Sequence, residues 1–137
     1  MISVIVFLFG LVVGSFLNCV IYRLETGGSF LKGRSYCPHC KHKLFWQDLI
    51  PLLSFFVLRG RCRYCGKKIS LQYPFIEMAT GLLFVLIFNF QVSTFNQFPI
   101  SNPQFLISIC FLFLVSCFLL IIFVYDLKHF IIPDSII

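Results

Sequence analysis

FLISICFLFLVSCFLLIIFVY, residues 105–125, runs for 21 positions without a charge or a proline. A helix rises 1.5 Å per residue, so such a run is long enough to cross a hydrocarbon core of about 30 Å. Moving towards the amino terminus, residues 75–90 read FIEMATGLLFVLIFNF and carry one charge, Glu77. They predict a second span that starts just after Pro74, a good first-turn residue, and runs to about residue 95. An uncharged stretch containing Pro99 and Pro103 separates these two runs. At the start of the chain, residues 2–22, ISVIVFLFGLVVGSFLNCVIY, form another uncharged run. It lacks the basic flank and small-residue cleavage site of a signal peptide and is too long for one, so it reads as a retained helix. Gly10 and Gly14 in this run have the G-x-x-x-G spacing that lets helices approach closely.

Composition agrees with the runs. Of 137 residues 59% are hydrophobic and 12% charged, and mean hydropathy is +0.95. A soluble domain of this size has too much surface for its volume to hide that apolar content. The net charge of +6 raises nucleic acid as a partner, but its distribution excludes that reading. Ten of the eleven Lys and Arg fall between Arg23 and Lys68, and the eleventh is Lys128. Basic loops stay cytoplasmic, so three spans with residues 23–74 inside place every basic residue on one side of the membrane.

The 23–74 loop carries four of the seven cysteines as two C-x-x-C pairs, Cys37–Cys40 and Cys62–Cys65, 21 residues apart. Each tight turn can aim two sulfurs at one ion, and two turns complete a tetrahedron of thiolates, the ligand set of a structural zinc with no open position. Neighbouring Lys41, Lys43, Arg61, Arg63, Lys67 and Lys68 favour the thiolates. Between the pairs, Leu49–Leu58 (LIPLLSFFVL) is apolar but too short to span, and either dips into the interface or packs on the metal site. Cys19, Cys110 and Cys117 lie in apolar runs and read as small buried hydrophobes.

Acidic residues are few: Glu25, Asp48, Glu77, Asp126 and Asp134. Glu77 and Asp126 fall at or within span boundaries, where an ionisable group is costly and marks function. The plainer reading of Asp126 is an interfacial partner for Lys128 or His129. An aspartic peptidase needs two carboxylates sharing a proton. Asp126 is placed for one of them, whereas Asp134, beyond Pro133, reads as a helix cap. No second aspartate stands at an equivalent depth, and the chain stops two isoleucines after Ser135, which reads as a truncation.

Four blocks, GSFLNCVIYRL at 14–24, CPHCKHKLFWQDLIPLLSFFVLRGRCRYCGKKIS at 37–70, YPFIEMATG at 73–81 and DLKHFIIPDSI at 126–136, resemble the type IV prepilin peptidases. Within these blocks Leu49 is a modest departure, since many members of that family carry Asn there. The resemblance implies an aspartic endopeptidase of the bacterial inner membrane. Such an enzyme cleaves the leader of prepilin or pseudopilin substrates on the cytoplasmic side, in type IV pilus or type II secretion systems. It implies methylation of the new amino terminus with S-adenosylmethionine, with Glu77 a candidate cofactor residue, and structural zinc on Cys37, Cys40, Cys62 and Cys65. The first catalytic aspartate of the family falls on Asp126. The second belongs to a G-x-G-D motif that this chain lacks, so the chain alone is expected to be inactive.

The expected fold is therefore an all-α polytopic membrane protein with three transmembrane helices and a cytoplasmic four-cysteine zinc loop, cut before any further helices. Its parts are a first helix at 1–22, a zinc-binding loop domain at 23–74, and the start of a peptidase membrane domain at 75–137, with helices at about 75–95 and 105–125. From the residues alone two other classes remain open: a zinc-stapled membrane adaptor that catalyses nothing, and a thiol-redox membrane protein using its C-x-x-C pairs.

Overall fold

The computed structural model describes residues 1–28, 33–95 and 102–131. Three long helices are built from the three apolar runs: α1 (Ile2–Thr26), α3 (Gln72–Phe95) and α4 (Pro103–Ile131). A single turn and a half of helix, α2 (Leu53–Val57), lies in the loop between α1 and α3. All three long helices have the length and composition to cross a membrane.

Each is longer than its apolar run, for local reasons. Past Tyr22, α1 continues through Arg23 and Glu25 and stops at Gly27, whose left-handed backbone (φ 71°, ψ 17°) ends the helix. α3 starts at Gln72 rather than Phe75, which puts Pro74 in its first turn, where the missing N–H costs nothing. The Asn102 side chain accepts the Gln104 N–H at 3.0 Å and opens α4. α4 then runs to Ile131 instead of ending at 125, so Asp126 lies inside the helix.

α1 and α3 pack antiparallel at very short range. A Cβ built on Gly10 would lie 2.6 Å from Gly81 Cα, and one on Gly14 would lie 2.7 Å from Glu77 Cα. The G-x-x-x-G spacing thus marks the crossing. One turn further, Asn18 Nδ2 donates to the Tyr73 carbonyl at 2.9 Å. Leu17, Ile21, Ile76 and Val124 form the buried core towards the loop end of the bundle.

α4 packs along α3 and, towards the loop end, also meets α1. Phe84 and Phe113 stack with centroids 4.0 Å apart, and buried Gln91 donates to Ser108 Oγ at 2.9 Å. The most apolar window of α4 is only 6% buried, against 33% in α1 and α3. Most of α4 therefore faces outward, and Cys110, expected to be buried, is exposed on it.

Candidate functional site

The two C-x-x-C turns are built alike, offset by 25 residues. Lys41 N–H returns to the Cys37 carbonyl at 2.8 Å, as Gly66 N–H does to Cys62 at 3.0 Å. Cys37 N–H donates to the His42 carbonyl at 3.0 Å, as Cys62 N–H does to Lys67 at 2.9 Å. Single antiparallel bridges, Tyr36 to Lys43 and Arg61 to Lys68, close the turns. Both turns need a left-handed residue straight after the second cysteine: Gly66 (φ 69°) takes this freely, while Lys41 (φ 55°) bears a cost of about 1–2 kcal/mol.

These turns gather Cys37, Cys40, Cys62 and Cys65 so that all four sulfurs lie within 4.8 Å of one another. Cys37 Sγ and Cys65 Sγ are 3.8 Å apart, which is the edge of a tetrahedron whose centre is about 2.3 Å from each sulfur. That is a zinc–thiolate geometry, so the cluster could hold zinc. Burial raises the Cys37 thiol, but the amides of Cys40 and His39 and the neighbouring thiols outweigh it and bring the pKa down to about 7. Cys40 goes the other way: the His42 amide lowers it, yet desolvation and the surrounding sulfurs push it up to about 11. Four thiols at this range share their protons, and a divalent cation would replace them.

A second set of contacts ties the turns together, and sequence reading did not identify it. The His42 and Tyr64 rings stack at 3.8 Å, one from each turn. Asp48, from the segment between the turns, accepts Tyr64 OH at 3.0 Å and the Phe45 N–H at 3.2 Å, and pairs with Arg63 Nε at 3.1 Å. Desolvation, and after it the hydrogen bond and charge of Asp48, push the Tyr64 hydroxyl above its ordinary pKa. Only the W-x-D spacing that follows the first pair could have pointed to this lock.

The two membrane-boundary carboxylates are not brought together. Glu77 is buried at the α1–α3 crossing, where its Oε2 accepts the Leu52 N–H at 2.8 Å. Asp126 is exposed on α4 and has no hydrogen bond or ion pair among the described residues. Lys128, two positions on, pairs with Glu25 of α1 at 3.0 Å instead. His129 Nδ1 meets the Tyr125 carbonyl at 2.9 Å. Val124 packs inward, so Asp126, two residues or about 200° further round the helix, points away from α1. Asp134 lies outside the described residues. Between the crossing and the thiol turns is a cavity of about 280 Å³, lined by Ser15, Asn18, Tyr73 and Glu77 below and Cys37 and Cys62 above.

Residues 8–90, which include the whole thiol loop and the α1–α3 crossing, match the family described as Bacterial Peptidase A24 N-terminal domain. The chain belongs to that family. Individual A24 relatives extend the match. The prepilin leader peptidase/N-methyltransferase of Myxococcus xanthus is 43% identical over 133 residues, covering 97% of this chain and 36% of the relative. Its counterpart in Vibrio cholerae is 33% identical over 133 residues, covering 90% and 47%. The Bacillus subtilis protein of the same name is 42% identical over 80 residues, covering 58% and 32%. The chain thus spans between 32% and 47% of the length of these A24 proteins. No solved structure matches.

Proposed function

We propose that this chain is part of a prepilin-processing enzyme of the bacterial inner membrane, supplying a zinc-stapled cytoplasmic loop and one carboxylate of an aspartic endopeptidase. The observation that carries this reading is 43% identity across 97% of the chain to a protein named prepilin leader peptidase/N-methyltransferase. Asp126 is the carboxylate we assign to peptide cleavage. Its place in the last turns of α4, exposed and unpaired, suits a group that must meet a second acid from another helix. One acid of such a pair activates water while the other holds the shared proton.

Zinc on Cys37, Cys40, Cys62 and Cys65 is structural in this reading, because four thiolates leave no position for substrate. When bound, it fixes the two turns over the cavity. S-adenosylmethionine would serve methylation of the new amino terminus, with Glu77 the candidate residue on this chain. The substrates are prepilins or pseudopilins, feeding type IV pili or type II secretion.

A hybrid tests the assignment. Residues 1–137 replace the matching segment of the Myxococcus xanthus relative, and membranes carrying the hybrid are incubated with that organism's prepilin. The expected result is cleavage, seen as a mobility shift, which Asp126→Asn abolishes. Cleavage by the Asp126→Asn hybrid would overturn the assignment.

A further inference from the structure

The apolar segment between the thiol turns lies lower than a cytoplasmic loop should. Glu77 is at the level of Gly14, since a Cβ on Gly14 would fall 2.7 Å from Glu77 Cα. Gly14 precedes Arg23, the first charged residue of α1, by nine positions, which is about 13 Å along a helix. The Leu52 N–H, 2.8 Å from Glu77 Oε2, lies within a glutamate side chain's reach of that depth. Residues 46 and 49–51, with Ser35, line a second pocket against Val12, Ser15, Phe16 and Cys19, the stretch of α1 around Gly14.

Other features agree with immersion. In the stretch 46–58 the sole ionisable group is Asp48, which is held by Arg63, Tyr64 and the Phe45 amide. Large apolar side chains nevertheless face outward: Trp46 is 70% exposed, Leu53 62%, Phe56 69% and Val57 73%. Irregular backbone is tolerated at hydrocarbon depth only if its polar groups are satisfied. Here Pro51 has no N–H, the Leu53, Ser54, Phe56 and Leu58 amides bond within the segment, and the Leu52 amide takes the Glu77 carboxylate. Leu52 also has a strained backbone (φ 58°, ψ −46°), so the residue at the turn is held there by its surroundings.

We infer that residues 46–58 form a re-entrant segment whose turn at Pro51–Leu52 enters the hydrocarbon layer beside α1 and α3, anchored by Glu77, with Trp46, Leu53, Phe56 and Val57 against lipid acyl chains. This stands independently of any peptidase activity. Lipid is favoured over a protein partner because these side chains are as exposed as the outward apolar residues of α1 (Val12, Phe16) and α3 (Phe75), and Trp46 lines a pocket together with Val12 and Phe16.

Trp46 is the only tryptophan, so the unmodified chain carries its own probe. In phosphatidylcholine vesicles its emission should be quenched when the lipid is brominated on its acyl chains, and little affected by aqueous acrylamide. Phe56→Trp in a Trp46→Phe background should behave the same way. Glu77→Leu, which removes the acceptor for Leu52, should reduce bromolipid quenching and admit acrylamide, whereas Glu77→Gln should preserve the native pattern. Quenching of both reporters by acrylamide alone would show a water-facing loop, and insensitivity to both quenchers would show a protein-covered one. Either result overturns the inference, and an unchanged Glu77→Leu pattern overturns the anchoring role.

Discussion

Gly14 shows how one missing side chain sets the geometry of this molecule. Its Cα faces the Glu77 backbone so closely that a methyl group would sit 2.7 Å from Glu77 Cα, a contact that backbone atoms cannot relieve by turning a rotamer. Gly14→Ala should therefore force α1 and α3 apart, at a cost of about 1–3 kcal/mol. Thermal unfolding in detergent would measure this, with Gly28→Ala as the neutral comparison, because its nearest neighbour would be 3.6 Å away. An unchanged midpoint for Gly14→Ala would mean that the crossing is looser than described. Glu77 is legible in sequence as a costly charge in an apolar run, but its partner is not. Leu52 is 25 residues distant and offers only a backbone N–H, which no residue pattern advertises.

Among the elements, the thiol loop was the most readable and α4 the least. Two C-x-x-C pairs announce a tetrahedral cluster because ligand spacing is chemistry written directly in residue order. The Asp48–Arg63–Tyr64 lock and the His42–Tyr64 stack were hidden because their residue types serve equally well on any solvated loop. If the cluster holds zinc, Cys62→Ser should release it and loosen residues 37–65, measured by zinc content and by alkylation of the remaining thiols. In the metal-free wild-type loop Cys37, at about 7, should alkylate at lower pH than Cys40, at about 11. The Cys37 pKa is lowered from an ordinary 9.0, so its stabilising contribution is complete above that pH and lost as pH falls through about 7. Equal alkylation of Cys37 and Cys40 at neutral pH would contradict this order. On the membrane side, Gln91→Leu should weaken the α3–α4 contact by about 0.6–1.7 kcal/mol, because it removes the bond to Ser108. A steric-trap measurement in bicelles would read that loss, and a more stable Leu variant would show that the bond is not a net support.

At the scale of the molecule, hydropathy and charge were enough to find three spans, since apolar runs of this length have few other uses. They were not enough to fix helix ends. Arg23, Glu25, Lys128 and His129 prolong α1 and α4 beyond the apolar runs, with Lys128 and Glu25 joining the two helices at 3.0 Å. With every basic residue on the loop side, Ser35→Cys should be shielded from an impermeant thiol reagent in whole cells and Asn102→Cys labelled, in a background with the native cysteines masked. The opposite pattern would invert the topology. The twin thiol turns bear on how the chain is made. The second turn follows the first by 25 residues, so at about 5–20 residues per second the ribosome delivers it roughly 1–5 s later. Throughout that interval α1 is already available to the insertion machinery while Cys37 and Cys40 are a bare dithiol with nothing to complete their ion. The loop can therefore close on a metal only after Cys65 has emerged, and α3 follows directly behind the residues that close it.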